Sequence, residues 1–296
     1  MKPALARRLI RNYGFERARF LRSKLRRLLN LFLDREQDIE IVRGLKLHLD
    51  LDIPNQNEDF WYYEEHEPEL QWLIRNLLPP AGTMVDAGAN FGFFGMVAMH
   101  CRAARVHFIE PHPRLAASIR RHLSLNFYGP LGKVHELAAS DANGSAVLNI
   151  NAGKNDGCHS LLPLKNSRES LSVPCRRLED LFREEGIAHV DLLKMDVENH
   201  DLNVLHGLGE FLQPRNISVL FVEMNSDRQA CWDWLSARGY VAFETRRFYI
   251  DALRREYRQG NLTPFYAPAS APTGKDYVWV PKDSPAATLL NQVVRY

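Results

Sequence analysis

A chain of 296 residues, 45% of them hydrophobic, is long enough to bury one large core with extensions. Its four cysteines (Cys101, Cys158, Cys175, Cys231) form no CxxC pair, and no apolar run approaches the roughly eighteen residues of a membrane span, so a disulfide scaffold, a cysteine-built zinc fold and a helical membrane protein are excluded. The net charge of +2 divides unevenly: residues 1–33 hold ten Lys or Arg and the single acid Glu16, hence +9, which leaves −7 for the remainder.

In that first segment Leu5, Leu9, Tyr13, Phe20, Leu21, Leu25, Leu28 and Phe32 fall at mostly helical spacings among the arginines, which predicts a basic amphipathic helix. Such a helix suits an anionic lipid surface, nucleic acid or an acidic partner. It could equally pack its leucines on the domain and leave its arginines in water. The start is basic but lacks the long apolar stretch and cleavage site of a secretory signal, and the scattered cysteines suit a reducing compartment. The expectation is a cytoplasmic protein, attached peripherally to the inner membrane surface if the helix does bind lipid.

Residues 34–80 read as lead-in strands and a helix, 81–283 as the main domain and 284–296 as a tail. Within the main domain short β-rich runs alternate with helical patterns, as in a parallel sheet with crossover helices. Strands are expected at Thr83 to Asp86, Arg105 to Glu110, Val134 to Ala139, Val190 to Asp196, Val219 to Met224, Tyr240 to Glu244 and Tyr277 to Val280. Helices are expected after Phe91 and over Arg114 to Asn126, Leu178 to Glu185, Asp201 to Leu212 and Gln229 to Arg238. The expected fold is thus α/β, a doubly wound, mostly parallel seven-stranded sheet. The segment between the third and fourth strands reads as an inserted β-hairpin, with turn signals at Asn143-Gly144 and Asp156-Gly157, and Thr263 to Gly274 reads as a loop.

The first strand runs into "VDAGANFGFFG", a glycine turn opening a helix. Such a turn lets a ligand approach the backbone beyond the strand ends. It is neither a dinucleotide fingerprint, since Asn90 and Phe93 stand where glycines would be needed, nor a P-loop, since no Gly-Lys-Ser/Thr is present. The pattern is Asp86-x-Gly88-x-Asn90-x-Gly92, and the acid favours a cationic ligand over a pyrophosphate. Glu110 closes the second strand about twenty residues later, where a carboxylate accepts hydrogen bonds from ribose hydroxyls. Ser140 and Asp141 close the third, within reach of an adenine amino group. Adenine, ribose and a charged tail in that order describe S-adenosylmethionine, with Asp86, Gly88, Asn90, Gly92, Glu110, Ser140, Asp141 and Asp196 as its candidate binding residues.

"VDAGANFGFFGMVA", "FIEPHPRLAASIRRHLSLN", "LAASDANGSAVL", "VPCRRLEDLF", "VDLLKMDVENHDLNVLHGL" and "VLFVEMN" follow one another in an order that resembles FkbM-type methyltransferases, which have the class I, Rossmann-like fold. The likeness runs from about Glu65 to Asn225. It implies methyl transfer from S-adenosylmethionine to oxygen, with a hydroxyl of a sugar, glycan or natural product as acceptor. Two positions depart from that family's pattern: Asn199 replaces a glycine in "DVENHD", and Gly95 stands where Ser or Thr is usual. Asn tolerates left-handed backbone, so the turn can persist. A helical glycine points to close packing against ligand or sheet.

Methyl transfer to a hydroxyl needs a base beside the sulfonium. His200 is the first candidate, because an imidazole titrates near neutrality, and Glu198 the second. Asp196 faces the same place, and His159 and Ser160 of the inserted hairpin could reach over it. Each could instead be an ordinary surface residue. Asp196, Glu198 and Glu223 could alternatively gather a magnesium ion. Rival classes are a non-catalytic protein that docks through its basic helix and a nucleic-acid methyltransferase. No specific nucleic acid is expected, since "KMDVENHD" is not the Asn/Asp-Pro-Pro-Tyr/Phe loop of amino-methylating enzymes.

Overall fold

The structure is a computed structural model that describes residues 28–42, 44–62, 66–102, 104–151, 159–162, 167–224, 226–246, 265–273 and 276–293. Most of the basic segment expected to be helical, and the Asp156-Gly157 turn, lie outside the described residues. The lead-in begins with an antiparallel pair, β1 (Glu36–Val42) and β2 (Leu45–Asp50). Alternation puts Ile39, Ile41, Leu45, Leu47 and Leu49 on one buried face while Asp38, Glu40 and Lys46 point outward. Two helices follow, α1 (Pro54–Tyr62) and α2 (Pro68–Asn76), the second starting on a proline whose fixed φ suits a first helical turn.

The main sheet contains β3 (Thr83–Ala87), β4 (Arg105–Ile109), β5 (Gly132–His135), β9 (Leu192–Met195), β10 (Leu220–Glu223), β11 (Tyr240–Arg246), β12 (Phe265–Ala269) and β13 (Asp276–Pro281), in the order β12-β11-β13-β10-β9-β3-β4-β5. From β5 to β10 every pair is parallel. β13 is antiparallel to both β10 and β11. Helices α3 (Phe93–Arg102), α4 (Pro113–Leu125), α5 (Leu178–Glu185), α6 (Asp201–Gly207), α7 (Arg228–Ser236) and α8 (Pro285–Val293) cover both faces, with one apolar core on each side. Strands buried on both faces read as unbroken apolar runs, and β9 is buried along its whole length.

Several boundaries differ from those the sequence predicts. The stretch expected as a loop at Thr263 to Gly274 contains β12, an eighth strand; β12 lies at the sheet edge, the place in a sheet where a proline such as Pro268 is tolerated. The strand expected at Val134 to Ala139 is divided. Leu137 N–H turns back to the His135 carbonyl at 3.0 Å, and β6 (Ala138–Ala139) leaves the main sheet to pair with β8 (Ser167–Arg176). β8 is also antiparallel to β7 (Gly144–Asn151), and these are the arms of the inserted hairpin. The helix expected at Asp201 to Leu212 ends at Gly207, with a 3₁₀ turn at Gly209–Phe211. Residues 284–296 hold α8, whose Ala287 and Leu290 are buried.

The two sequence departures have local reasons. Asn199 has φ +70°, the left-handed region that asparagine tolerates. Gly95 lies where a Cβ would come 2.1 Å from the Phe108 ring and 2.9 Å from Val106 Cγ1, so it lets α3 pack closely on β4.

Candidate active site

β3 has β4 on one side and β9 on the other, so the chain order reverses there, and open α/β sheets bind ligands outside the strand ends at such a point. A partly open cleft lies there, lined by both apolar and polar groups. Gly88, Asn90, Glu110, Asp196, Glu198 and His200 line it, together with Ile109, Leu115, Ala138, Ala139, Leu148 and Leu161.

The glycine turn brings the strand ends together. Gly88, Asn90 and Gly92 have φ of +72°, +54° and +85°. A Cβ on Gly88 would sit 1.8 Å from the Asp196 carbonyl oxygen, so only glycine lets the end of β3 pass the end of β9. Glu110, 4% exposed, receives Asn90 N–H on Oε2 at 2.8 Å and His112 N–H on Oε1 at 2.9 Å. Each oxygen keeps a second lone pair. Burial pushes its pKa up to about 7, and the two backbone donors oppose that only in part. Asn90 Oδ1 is buried without a hydrogen-bond partner. An apolar wall, a fixed carboxylate and an unsatisfied amide oxygen fit a nucleoside.

Beneath the turn lies Lys194, 3% exposed and directly across the register from Asp86. Its Nζ donates to the Gly88 carbonyl at 2.7 Å and lies 3.3 Å from Asp86 Oδ1 and 3.7 Å from Asp196 Oδ2. Burial alone would lower the lysine pKa, but the carboxylates of Asp86, Asp196 and Glu67 outweigh it and keep the ammonium charged. Lys194 was missed by sequence reasoning; the available signal was a single cation in the apolar run "VDLLKMD". With one cation beside Asp86 and Asp196, and Glu110 nearby, the cleft floor carries an excess of negative charge.

The segment after β9 forms the other rim. Glu198 and Asn199 are both left-handed, and their carbonyls accept from Ser160 Oγ at 2.8 Å and Ser226 Oγ at 3.0 Å. His200 sits at the N-cap position of α6, half-buried, with Nε2 3.0 Å from Ser140 Oγ; its Nδ1 has no hydrogen-bond partner. Burial lowers the His200 pKa against the opposing charge of Asp141. Ser140 Oγ lies 3.1 Å from Asp141 Oδ1, and a hydroxyl has one proton to give. With that proton directed at the carboxylate, His200 Nε2 must be the donor to Ser140, which leaves a bare lone pair on Nδ1. Asp141 is further held by Asn203 Nδ2 at 3.0 Å, which with Ser140 keeps its pKa low.

Of the residues singled out from sequence, Gly88, Asn90, Glu110, Asp196, Glu198 and His200 line the cleft. Asp86 is fully buried below it in the Lys194 ion pair, and Gly92 packs against Ile119 and Phe108. Ser140 and Asp141 stand behind His200 and do not line the cleft. His159 lines it and stacks on His112 at 4.6 Å. Among the described residues Asp196, Glu198 and Glu223 do not converge as a three-ligand group.

The family model described as "Methyltransferase FkbM domain" matches residues 86–242. The chain is 28% identical over 191 residues to the 31-O-demethyl-FK506 methyltransferase FkbM of Streptomyces tacrolimicus, which covers 54% of this chain and 73% of that protein. It is 29% identical over 157 residues to the 2-O-methyltransferase NoeI of Sinorhizobium fredii, covering 47% of this chain and 63% of the relative. A third relative, the AMB antimetabolite synthetase AmbE of Pseudomonas aeruginosa, is 28% identical over 209 residues, 55% of this chain, and the chain spans only 10% of its length.

Proposed function

The chain belongs to the FkbM methyltransferase family and is an S-adenosylmethionine-dependent methyltransferase, and from that premise we propose that it methylates a hydroxyl oxygen on a sugar, glycan or natural-product acceptor, with His200 taking the proton. Two relatives whose names state O-methylation support the acceptor class. The observation that carries the chemistry is His200 on the cleft rim, whose buried Nδ1 holds a lone pair without a partner, set by the Asp141–Ser140–His200 chain of contacts.

When bound, S-adenosylmethionine supplies an electrophilic methyl group on a sulfonium. Glu110 would hold the ribose hydroxyls through its remaining lone pairs, Ile109, Leu115, Ala139 and Leu148 would exclude water around the adenine, and Asp196 would stand at the cationic end. Because His200 is depressed in pKa by burial, it is neutral at pH 7 and able to accept a proton at Nδ1 as the hydroxyl attacks. Glu198 is the second acceptor on the same rim.

We also infer attachment of residues 1–33 to an anionic membrane surface, supported by their +9 charge. The catalytic reading is tested with radiolabelled S-adenosylmethionine and host extracts fractionated into glycan, lipid, small-molecule and nucleic-acid pools. Label should enter a glycan or small-molecule hydroxyl and survive chelation. His200→Ala should lower turnover by about a hundredfold with cofactor affinity nearly unchanged, the scale of a lost general base. Full turnover in His200→Ala and in Glu198→Gln would place the base elsewhere.

A further inference from the structure

On the other side of Glu110 from the cleft rim, the edge of the sheet carries a second cluster of functional groups that methyl transfer does not use. His107 of β4 and His135 of β5 lie on adjacent strands, with His107 Nδ1 3.1 Å from His135 Nε2 and the rings nearly parallel at 12°. Glu185, the last residue of α5, completes the group: one ligand atom from each residue lies within 4.8 Å of the other two. We propose that His107, His135 and Glu185 form a binding site for a zinc-class divalent cation, outside the methyl-transfer cleft.

Two imidazole nitrogens and a carboxylate oxygen form a ligand set that zinc and its neighbours accept, with a water as fourth ligand. Zinc–nitrogen bonds of about 2.0–2.1 Å place tetrahedral ligands about 3.3 Å apart, close to the 3.1 Å between the two ring nitrogens, which share a hydrogen bond whose proton a cation would displace. His135 is buried, and His107 and Glu185 are half-buried, which leaves a solvent side for entry.

One group competes. Lys133 Nζ lies 2.6 Å from Glu185 Oε2 and 2.8 Å from Oε1 and stands where it opposes a cation. Its side chain is 59% exposed, and an ion pair that open to water is weak enough to yield to a metal. The site has a structural consequence too. It would join the outermost strand, β5, to β4 and to α5, and the His135 carbonyl already accepts the Glu110 backbone N–H at 3.1 Å. Binding at the edge would therefore stiffen the backbone that presents Glu110.

The test uses tag-free, chelator-treated full-length protein titrated with Zn²⁺ by calorimetry and with Co²⁺ by visible absorption, alongside thermal unfolding with and without Zn²⁺. One equivalent should bind, Co²⁺ should show the intense visible bands of a four-coordinate site, and Zn²⁺ should raise the Tm. Glu185→Gln and His107→Gln should each weaken binding by about tenfold or more, and both variants keep a polar side chain at a half-buried position. Lys133→Met should tighten it, an outcome that adventitious surface binding does not produce. Absence of stoichiometric binding by the wild type, or the same affinity in wild type, Glu185→Gln and His107→Gln, overturns the proposal.

Discussion

Glu110 shows how one side chain can set both affinity and pH response. Its raised pKa, about 7, means that near neutrality part of the free protein carries a proton on a carboxyl that the ribose hydroxyls require as an acceptor. Affinity for S-adenosylhomocysteine should therefore fall as pH drops from about 8 to about 6. In Glu110→Gln that slope should vanish, which calorimetry at several pH values checks. Folding responds in the other sense: for an acid whose pKa is raised from 4.5, the stabilising contribution is complete below 4.5 and is lost as pH rises through about 7. Lys194 acts differently, because it is the cation that makes a buried Asp86 tolerable. Lys194→Met should destabilise the protein by about 3–5 kcal/mol in chemical denaturation, since it leaves a buried carboxylate unpaired. Adding Asp86→Asn should recover part of that loss; strictly additive destabilisation would mean that the two groups are not coupled.

At the level of elements, the packing of α3 on β4 depends on Gly95. Gly95→Ala pushes a methyl into the Phe108 ring and Val106 and should lower stability by about 1–3 kcal/mol. Gly129→Ala, where no atom lies within 4 Å of the new Cβ, should change little; equal Tm values for the two variants would contradict the packing account. These elements also show what a sequence can carry. The glycine turn and the acid at the end of β4 were legible because both lie at junctions of locally periodic segments. β12 was not, because prolines and small residues mimic a loop until the edge position that excuses Pro268 is known. Lys194 stands out in the sequence only as a lone cation in an apolar run, and its role in the site lies in a cross-strand register, Asp86 opposite Lys194. The Ser140–His200 contact joins residues sixty positions apart, so a sequence could nominate His200 but not say which nitrogen is bare. His107 and His135 gain significance only when β4 and β5 are paired.

For the whole molecule, charge divides along the sequence into two parts: a basic leading segment of +9 and a remainder of −7. No helix among the described residues is long and apolar enough to cross a membrane. If residues 1–33 hold the protein to anionic lipid, sedimentation with phosphatidylserine vesicles should fall steeply as salt rises, because the Debye length shrinks from about 30 Å at 0.01 M to about 3 Å at 1 M. Deletion of residues 1–33 should abolish it, and salt-insensitive sedimentation would argue against an electrostatic attachment. The account as a whole rests on the cleft at the ends of β3, β4 and β9 being the site of S-adenosylmethionine. Calorimetric titration of the full chain and of Glu110→Ala with S-adenosylhomocysteine and with NAD tests that most directly. The wild type should bind one equivalent of S-adenosylhomocysteine and no NAD, and Glu110→Ala should bind about tenfold to a hundredfold more weakly, the scale of two lost hydrogen bonds. Tight NAD binding with no response to S-adenosylhomocysteine, or an unchanged affinity in Glu110→Ala, would contradict it.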